Sequence, residues 1–198
     1  MNEMLTSQNR PATRAADGLP RWRWTVAEIE RLAAAGYLRE EDRIELIGGE
    51  IVPMSPKGLR HERLRGKLAF RLTKLAPEHV FVIAETQFNL TADTYTEPDL
   101  LVHPAAMETP DVRGADALLV VEVADTSLAY DRNIKAPLYA AHGVREYWVI
   151  NAADLVTAVH LQPSGNTYAS VRELGPQTML VPFLAPALAV CLNDLAVG

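Results

Sequence analysis

Glu122 stands inside Leu118-Leu119-Val120-Val121-Glu122-Val123-Ala124, a run that otherwise reads as a strand buried in a sheet. Upstream, Pro98-Asp99-Leu100-Leu101-Val102 is a second apolar run that also begins with a carboxylate. A charge inside a buried strand costs several kcal/mol unless it is paired or binds a metal. Two carboxylates on adjacent strands suggest one shared partner, and a divalent cation suits two hard oxygen donors. Lys135 follows in a segment with helical character. Carboxylates on rigid strands can hold a cation that neutralises a phosphodiester, activates water and stabilises the leaving oxygen. A lysine beside them can orient the water and offset developing negative charge. Asp99, Glu122 and Lys135 in this order read as a metal-dependent phosphodiesterase, with Asp99 and Glu122 as metal ligands and the Val123 carbonyl as a third donor.

Each residue also has a plainer use. Asp99 after Pro98 is an ordinary turn aspartate, and Asp131 and Lys135 are spaced for a surface i,i+4 ion pair. The five histidines, His61, His79, His103, His142 and His160, show no paired ligand spacing, so no zinc site is expected. His61 and His103 keep an interest only as neighbours of the motifs. The common serine-hydrolase, dinucleotide and phosphate-loop signatures do not occur.

The elements that must position these groups follow from periodicity. Thr25-Val26-Ala27-Glu28 is a capping box opening a helix that Gly36 closes. Ile44 to Val52 reads as a hairpin turning at Gly48-Gly49, with Glu45 and Glu50 on its outer face. From His61 to Leu75, Leu64, Leu68, Leu72 and Leu75 form an apolar stripe, while Arg63, Lys67, Arg71 and Lys74 form a basic one suited to a phosphate backbone. Strands are expected over Val80–Leu90, at Asp99, at Glu122, over Glu146–Asn151, Val156–Leu161 and Tyr168–Leu174. A helix is expected over Asp131–His142, with Pro137 in its first turn or kinking it. This order gives an α/β (α+β) fold in which a mixed β-sheet is flanked by helices, preceded by an N-terminal helix and β-hairpin.

The chain has 198 residues, 48% of them hydrophobic, and a net charge of −6, which suits one globular domain with a real core. We expect a flexible tail over residues 1–20 and one domain over residues 21–198. The negative balance argues against a protein that coats nucleic acid over its whole surface. The single cysteine, Cys191, excludes an internal disulfide and suits a reducing compartment. Met1 to Pro20 lacks the apolar stretch of a signal peptide, and Met179 to Leu192 is shorter than the ~20 residues of a membrane span. A cytoplasmic location away from membranes is the expectation.

The Pro-Asp, Glu-x-x and helical Lys pattern resembles the PD-(D/E)XK nuclease superfamily. More closely, the chain is similar to the Uma-two family of restriction-type endonucleases. The resemblance is carried by Ile44-Glu45-Leu46-Ile47-Gly48-Gly49-Glu50-Ile51, Met54-Ser55-Pro56 and Glu97-Pro98-Asp99-Leu100. It continues through Val120 to Ser127, Tyr130-Asp131-Arg132, Lys135, Pro137 to Ala140 and Tyr147 to Ile150. It implies a restriction-endonuclease-like core, magnesium or manganese as cofactor, DNA as partner, and Asp99 and Glu122 as metal ligands. Where the superfamily places the lysine of Glu-x-Lys, this chain has Ala124, and the resemblance implies that Lys135 substitutes from the following helix. A further acid is Glu45 or, on the first long helix, Glu62, with Glu45 belonging to the stronger motif. Arg63, Lys67 and Arg71 are the expected nucleic-acid contacts. Two other readings stay open: a nuclease fold kept as a non-catalytic DNA- or protein-binding module, and a homo-oligomer, in the first instance a dimer, built on Tyr147, Trp148 and the apolar C-terminal stretch.

Overall fold

The computed structural model describes Leu19, residues 21–39 and residues 42–196. The tail expected over residues 1–20 lies outside the described residues, Leu19 apart. The described residues form two compact units, one of residues up to 56 with 91–96, the other of residues 57–90 with 97 onward.

In the first unit, α1 (Val26–Ala34) opens as its capping box requires: the Glu28 amide donates to Thr25 Oγ1 and the Thr25 amide to Glu28 Oε2. Gly36 ends it in the left-handed region, while the Tyr37 amide closes back on the Leu32 carbonyl. Strands β1 (Ile44–Ile47) and β2 (Glu50–Pro53) form the expected hairpin, and Gly48 and Gly49 supply the two positive φ angles of its turn. Strand β5 (Thr94–Thr96) pairs with β1, and Val26, Ile29, Leu46 and Tyr95 make a small core. Glu45 departs from expectation: it is 2% exposed, whereas Glu50 is exposed as the alternation of the hairpin predicts. Alternation assigns a residue to a face; whether water reaches that face depends on what else packs there.

The second unit is built on a six-stranded sheet in the order β10-β9-β8-β7-β6-β3. Its strands are β3 (Val80–Ala84), β6 (Leu100–Pro104), β7 (Leu119–Ala124), β8 (Glu146–Asn151), β9 (Thr157–Ser164) and β10 (Thr167–Leu174). Only β7 and β8 run parallel, joined by the crossover a parallel pair needs; every other pair is antiparallel. Helix α2 (Leu59–Leu75) lays Leu64, Leu68 and Leu72 against Leu100, Val102, Leu119, Val121, Val123, Trp148 and Ile150. The opposite face, carrying Leu101, Val120, Ala124, Tyr147 and Val149, packs on the crossover helices. This is a mixed α+β fold with a sheet flanked by helices, as the sequence predicts.

Two local departures bear on the chemistry. The run from Val80 to Leu90 is not one strand: it breaks at Glu85, whose φ is +50°, and resumes as β4 (Phe88–Thr91). The crossover is α3 (Leu128–Tyr130), a π turn over Asp131–Lys135, then α4 (Ala136–Ala141). Pro137 has no amide hydrogen to give the Asn133 carbonyl and its ring crowds that oxygen. A widened turn ahead of it, closed from the Ala136 amide to the Asp131 carbonyl, avoids both conflicts.

Because Leu68 is fully buried at the centre of the α2 stripe, Leu68→Ala is expected to cost about 2–5 kcal/mol of stability. Equilibrium urea unfolding measures it; a loss below about 1 kcal/mol would mean that α2 is not anchored as described.

Candidate active site

The β6–β7 ladder ends at the pair Leu100–Val121, so Asp99 and Glu122 are the residues that follow that last pair on their two strands. On the other side β3 and β6 pair through Ala84–Leu100, and the Glu85 amide donates to the Asp99 carbonyl at 3.3 Å. Glu85, Asp99 and Glu122 therefore sit at one level across three neighbouring strands. Directly opposed like charges are unfavourable in a sheet, and burial sharpens the cost. Asp99 is 2% exposed and Glu122 5% exposed. Such a row needs cations or donors, and the surrounding elements supply them.

Asp99 is held from three sides. Its Oδ2 accepts from the Val123 amide at 2.7 Å and from His61 Nε2 at 2.9 Å; its Oδ1 accepts from Lys57 Nζ at 2.9 Å. The Val123 bond assigns a backbone donor left over where the ladder ends. Burial alone would raise the Asp99 carboxyl, but the His61 hydrogen bond and the Lys57 ammonium outweigh it and hold the group down at about 2. His61 lies in the first turn of α2, and its buried Nδ1 has no hydrogen-bond partner; Glu62 Oε1 is 3.4 Å away without hydrogen-bonding geometry. Lys57 also donates to Glu85 Oε1 at 2.7 Å, and Arg65 lies 3.1 Å from Glu85 Oε2 while bonding Glu62. Gly58 brings this segment close to the end of β7, since a side chain there would meet the Asp125 carboxylate.

Glu122 is served by the crossover helices. Lys135 Nζ donates to its Oε1 at 2.8 Å, and the Tyr139 hydroxyl reaches the same oxygen at 3.3 Å. Lys135 is 4% exposed, which removes the surface ion-pair reading. It closes the π turn, and Tyr139 follows one helical turn later on the same face. Asp131 accepts from the Ser127 hydroxyl at 2.6 Å, while its carbonyl receives the Tyr147 hydroxyl at 3.2 Å.

Asp99 and Glu122 thus lie at the same end of the β6–β7 ladder, and Lys135 reaches Glu122. Glu45 belongs to the first unit and is described only there. Glu62 is drawn to Arg65, whose hydrogen bond lowers its pKa. Of the basic stripe, Arg63 and Arg71 are exposed, whereas Lys67 donates to the Leu195 carbonyl at 2.9 Å. His103 bonds Thr109 and the Pro104 carbonyl. Sequence reasoning missed Lys57, Glu85, Arg65 and Tyr139. The polar triplet Glu85-Thr86-Gln87 inside an apolar run was the available signal for Glu85; a lysine between proline and glycine carried none.

Among the described residues no three His, Cys, Asp or Glu side chains converge as a ready metal cage. The donor set instead fits a magnesium-type ion, which binds through one or two carboxylates and keeps water and phosphate as its remaining ligands. Hard oxygen donors, Asp99 Oδ1 and the Glu122 carboxylate, are what the sheet end offers.

A carboxyl lowered by folding contributes stability above its unfolded pKa of 3.8, and that contribution fades as pH falls through the folded value of about 2. In chelator-containing buffer, the stability gap between wild type and Asp99→Asn is expected to be flat above about pH 4. It should narrow by about 2 kcal/mol towards pH 2. Urea unfolding at stepped pH measures it, and a constant gap would contradict the charge network described for Asp99.

The chain matches an uncharacterized protein of Synechocystis with 29% identity over 142 residues, covering 64% of this chain and 78% of that one. Its fold matches the crystal structure of a putative nuclease from Anabaena variabilis with a TM-score of 0.68 and 17% identity, covering 86% of this chain and 96% of that one. The family model described as "putative restriction endonuclease", Uma2, matches residues 26–194. With that match over most of its length, the chain belongs to the Uma2 family.

Proposed function

We propose that this protein is a metal-dependent endonuclease that hydrolyses phosphodiester bonds in DNA. The observation that carries the reading is the placement of Asp99 and Glu122 just beyond the last β6–β7 pair, each carboxylate buried and each attended by its own lysine. Asp99 Oδ1 and the Glu122 carboxylate would hold magnesium or manganese. A bound ion of this type supplies Lewis-acid polarisation of the phosphate and a more acidic water.

The protein's own groups account for the rest. His61 and the Val123 amide fix the Asp99 carboxylate by its other oxygen, so Oδ1 keeps a set direction. Lys135, locked by the π turn and by burial, places an ammonium beside Glu122, where it orients water and offsets charge developing on the phosphate. It takes the part that Ala124 cannot, reaching the acid from the helix instead of from the strand. The exposed face of α2, with Arg63, Arg71, Lys74 and Phe70, is a run of cations interrupted by an aromatic ring and suits a nucleic-acid backbone.

A second reading, a nuclease fold that binds without cutting, is favoured by one observation: Asp99 accepts from three protein donors, two of them on one oxygen and a lysine on the other. Plasmid nicking in magnesium or manganese separates the two. The endonuclease reading expects metal-dependent cleavage, lost by about 100-fold or more in Asp99→Asn, in Glu122→Gln and in Lys135→Met. Folded variants that cut at the wild-type rate, or a wild type that cuts without metal, would overturn it.

DNA binding is read separately, by fluorescence anisotropy in the Asp99→Asn background. Replacing Arg63 and Arg71 by Gln should weaken binding and lower the slope of log Kd against log salt by about 2, near one unit per phosphate contact. An unchanged slope would move the DNA contact off this face.

A further inference from the structure

Lys57 belongs to none of the segments that carry the family resemblance, yet it is the group most tightly inserted among the acids. Its Nζ lies 2.7 Å from Glu85 Oε1 and 2.9 Å from Asp99 Oδ1, and its side chain is 11% exposed. The other Asp99 oxygen is committed to His61 and the Val123 amide, so Oδ1 is the atom left for an incoming cation. The ammonium rests on that atom. It also bridges two carboxylates that the register of β3 and β6 sets side by side and that would otherwise repel each other.

We infer that Lys57 is a resident cation of this site: it holds Glu85 and Asp99 together in the metal-free protein and yields Asp99 Oδ1 to a divalent ion as that ion binds. Glu85 then becomes a third carboxylate at the seat. The inference rests on the metal-dependent reading above and adds to it a residue that tunes metal affinity.

The two lysines of the site are built for different parts. Lys135 is fixed by a helical turn, by burial and by a neighbouring tyrosine on the same carboxylate oxygen. Lys57 projects from residues without regular structure, one position before the N-cap of α2. A lysine has a compact charge on a flexible stem, so it can leave a carboxylate without unwinding anything, which the planar fork of an arginine could not do as freely. An ammonium and a divalent ion on one carboxylate oxygen repel strongly, because their separation is at or below the range where Coulomb terms dominate. Metal binding and Lys57 contact are therefore competing states of the same seat.

Calorimetric titration of manganese chloride into wild type, Lys57→Met, Lys57→Arg and Asp99→Asn tests this. Lys57→Met is expected to bind manganese about tenfold or more tightly than wild type, the scale of one nearby like charge removed. Lys57→Arg should bind no more tightly than wild type, and Asp99→Asn should lose binding. Arg172→Met, which removes one exposed cation from β10, controls for net charge and should match wild type. In chelator, Lys57→Met should melt below wild type, and added manganese should close that gap. Lys57→Gln repeats each comparison if Lys57→Met does not fold.

Equal or weaker manganese affinity in Lys57→Met and Lys57→Gln, with binding intact in wild type, would overturn the displacement and leave the metal reading standing. A wild type that binds no manganese, alone or with a duplex carrying a non-cleavable phosphorothioate, would overturn the metal reading and the displacement together.

Discussion

Where β6 and β7 stop pairing, the Val123 amide still needs an acceptor, and the acceptor is the Asp99 carboxylate. That bond ties a charged group into the end of a buried sheet. It obliges the neighbourhood to neutralise the charge, because an unpaired carboxylate at this depth would take up a proton instead. Helix α2 answers with His61 from its first turn and Lys57 from just before it. The stripe of Leu64, Leu68 and Leu72 that docks α2 on the sheet is thus also what delivers these donors. Core packing and site electrostatics are one arrangement seen from two ends of the same helix.

Glu122 shows the same logic with the crossover helices. Its neighbours in β7 point alternately into two cores, and Glu122 falls on the side of the crossover helices. Parallel pairing of β7 with β8 demands that crossover, and Pro137 within it favours a widened turn. Lys135 closes that turn and points at the acid. In the proposed site Lys135 would stand in for the lysine that Ala124 cannot supply, its position set by helix geometry instead of by the strand.

The sequence made Asp99, Glu122 and Lys135 visible because each is a charge set in an apolar or patterned run, where burial demands a partner. The hairpin at Gly48-Gly49, the capping box of α1 and the leucine stripe of α2 were legible for similar local reasons. Glu85 was hidden because Val80 to Leu90 reads as one strand, and a left-handed residue that is neither glycine nor asparagine leaves no mark. Lys57 was hidden because a lysine in a loop is ordinary until two acids from other strands close on it. Glu45 was assigned to an exposed face from alternation alone and is buried. The π turn was foreshadowed only by the awkward place of Pro137. Local patterns report what a residue costs where it sits; they do not report which distant residue answers.

The central claim is that the carboxylates at the parting of β6 and β7 form the seat of a divalent cation. Anomalous diffraction from crystals grown with manganese tests it without reference to activity. An anomalous peak is expected about 2.0–2.3 Å from Asp99 Oδ1, with the Glu122 carboxylate bound to the ion directly or through a water. Lys57 Nζ should have moved off that oxygen. A manganese peak elsewhere, with Lys57 still bridging Glu85 and Asp99, would contradict it.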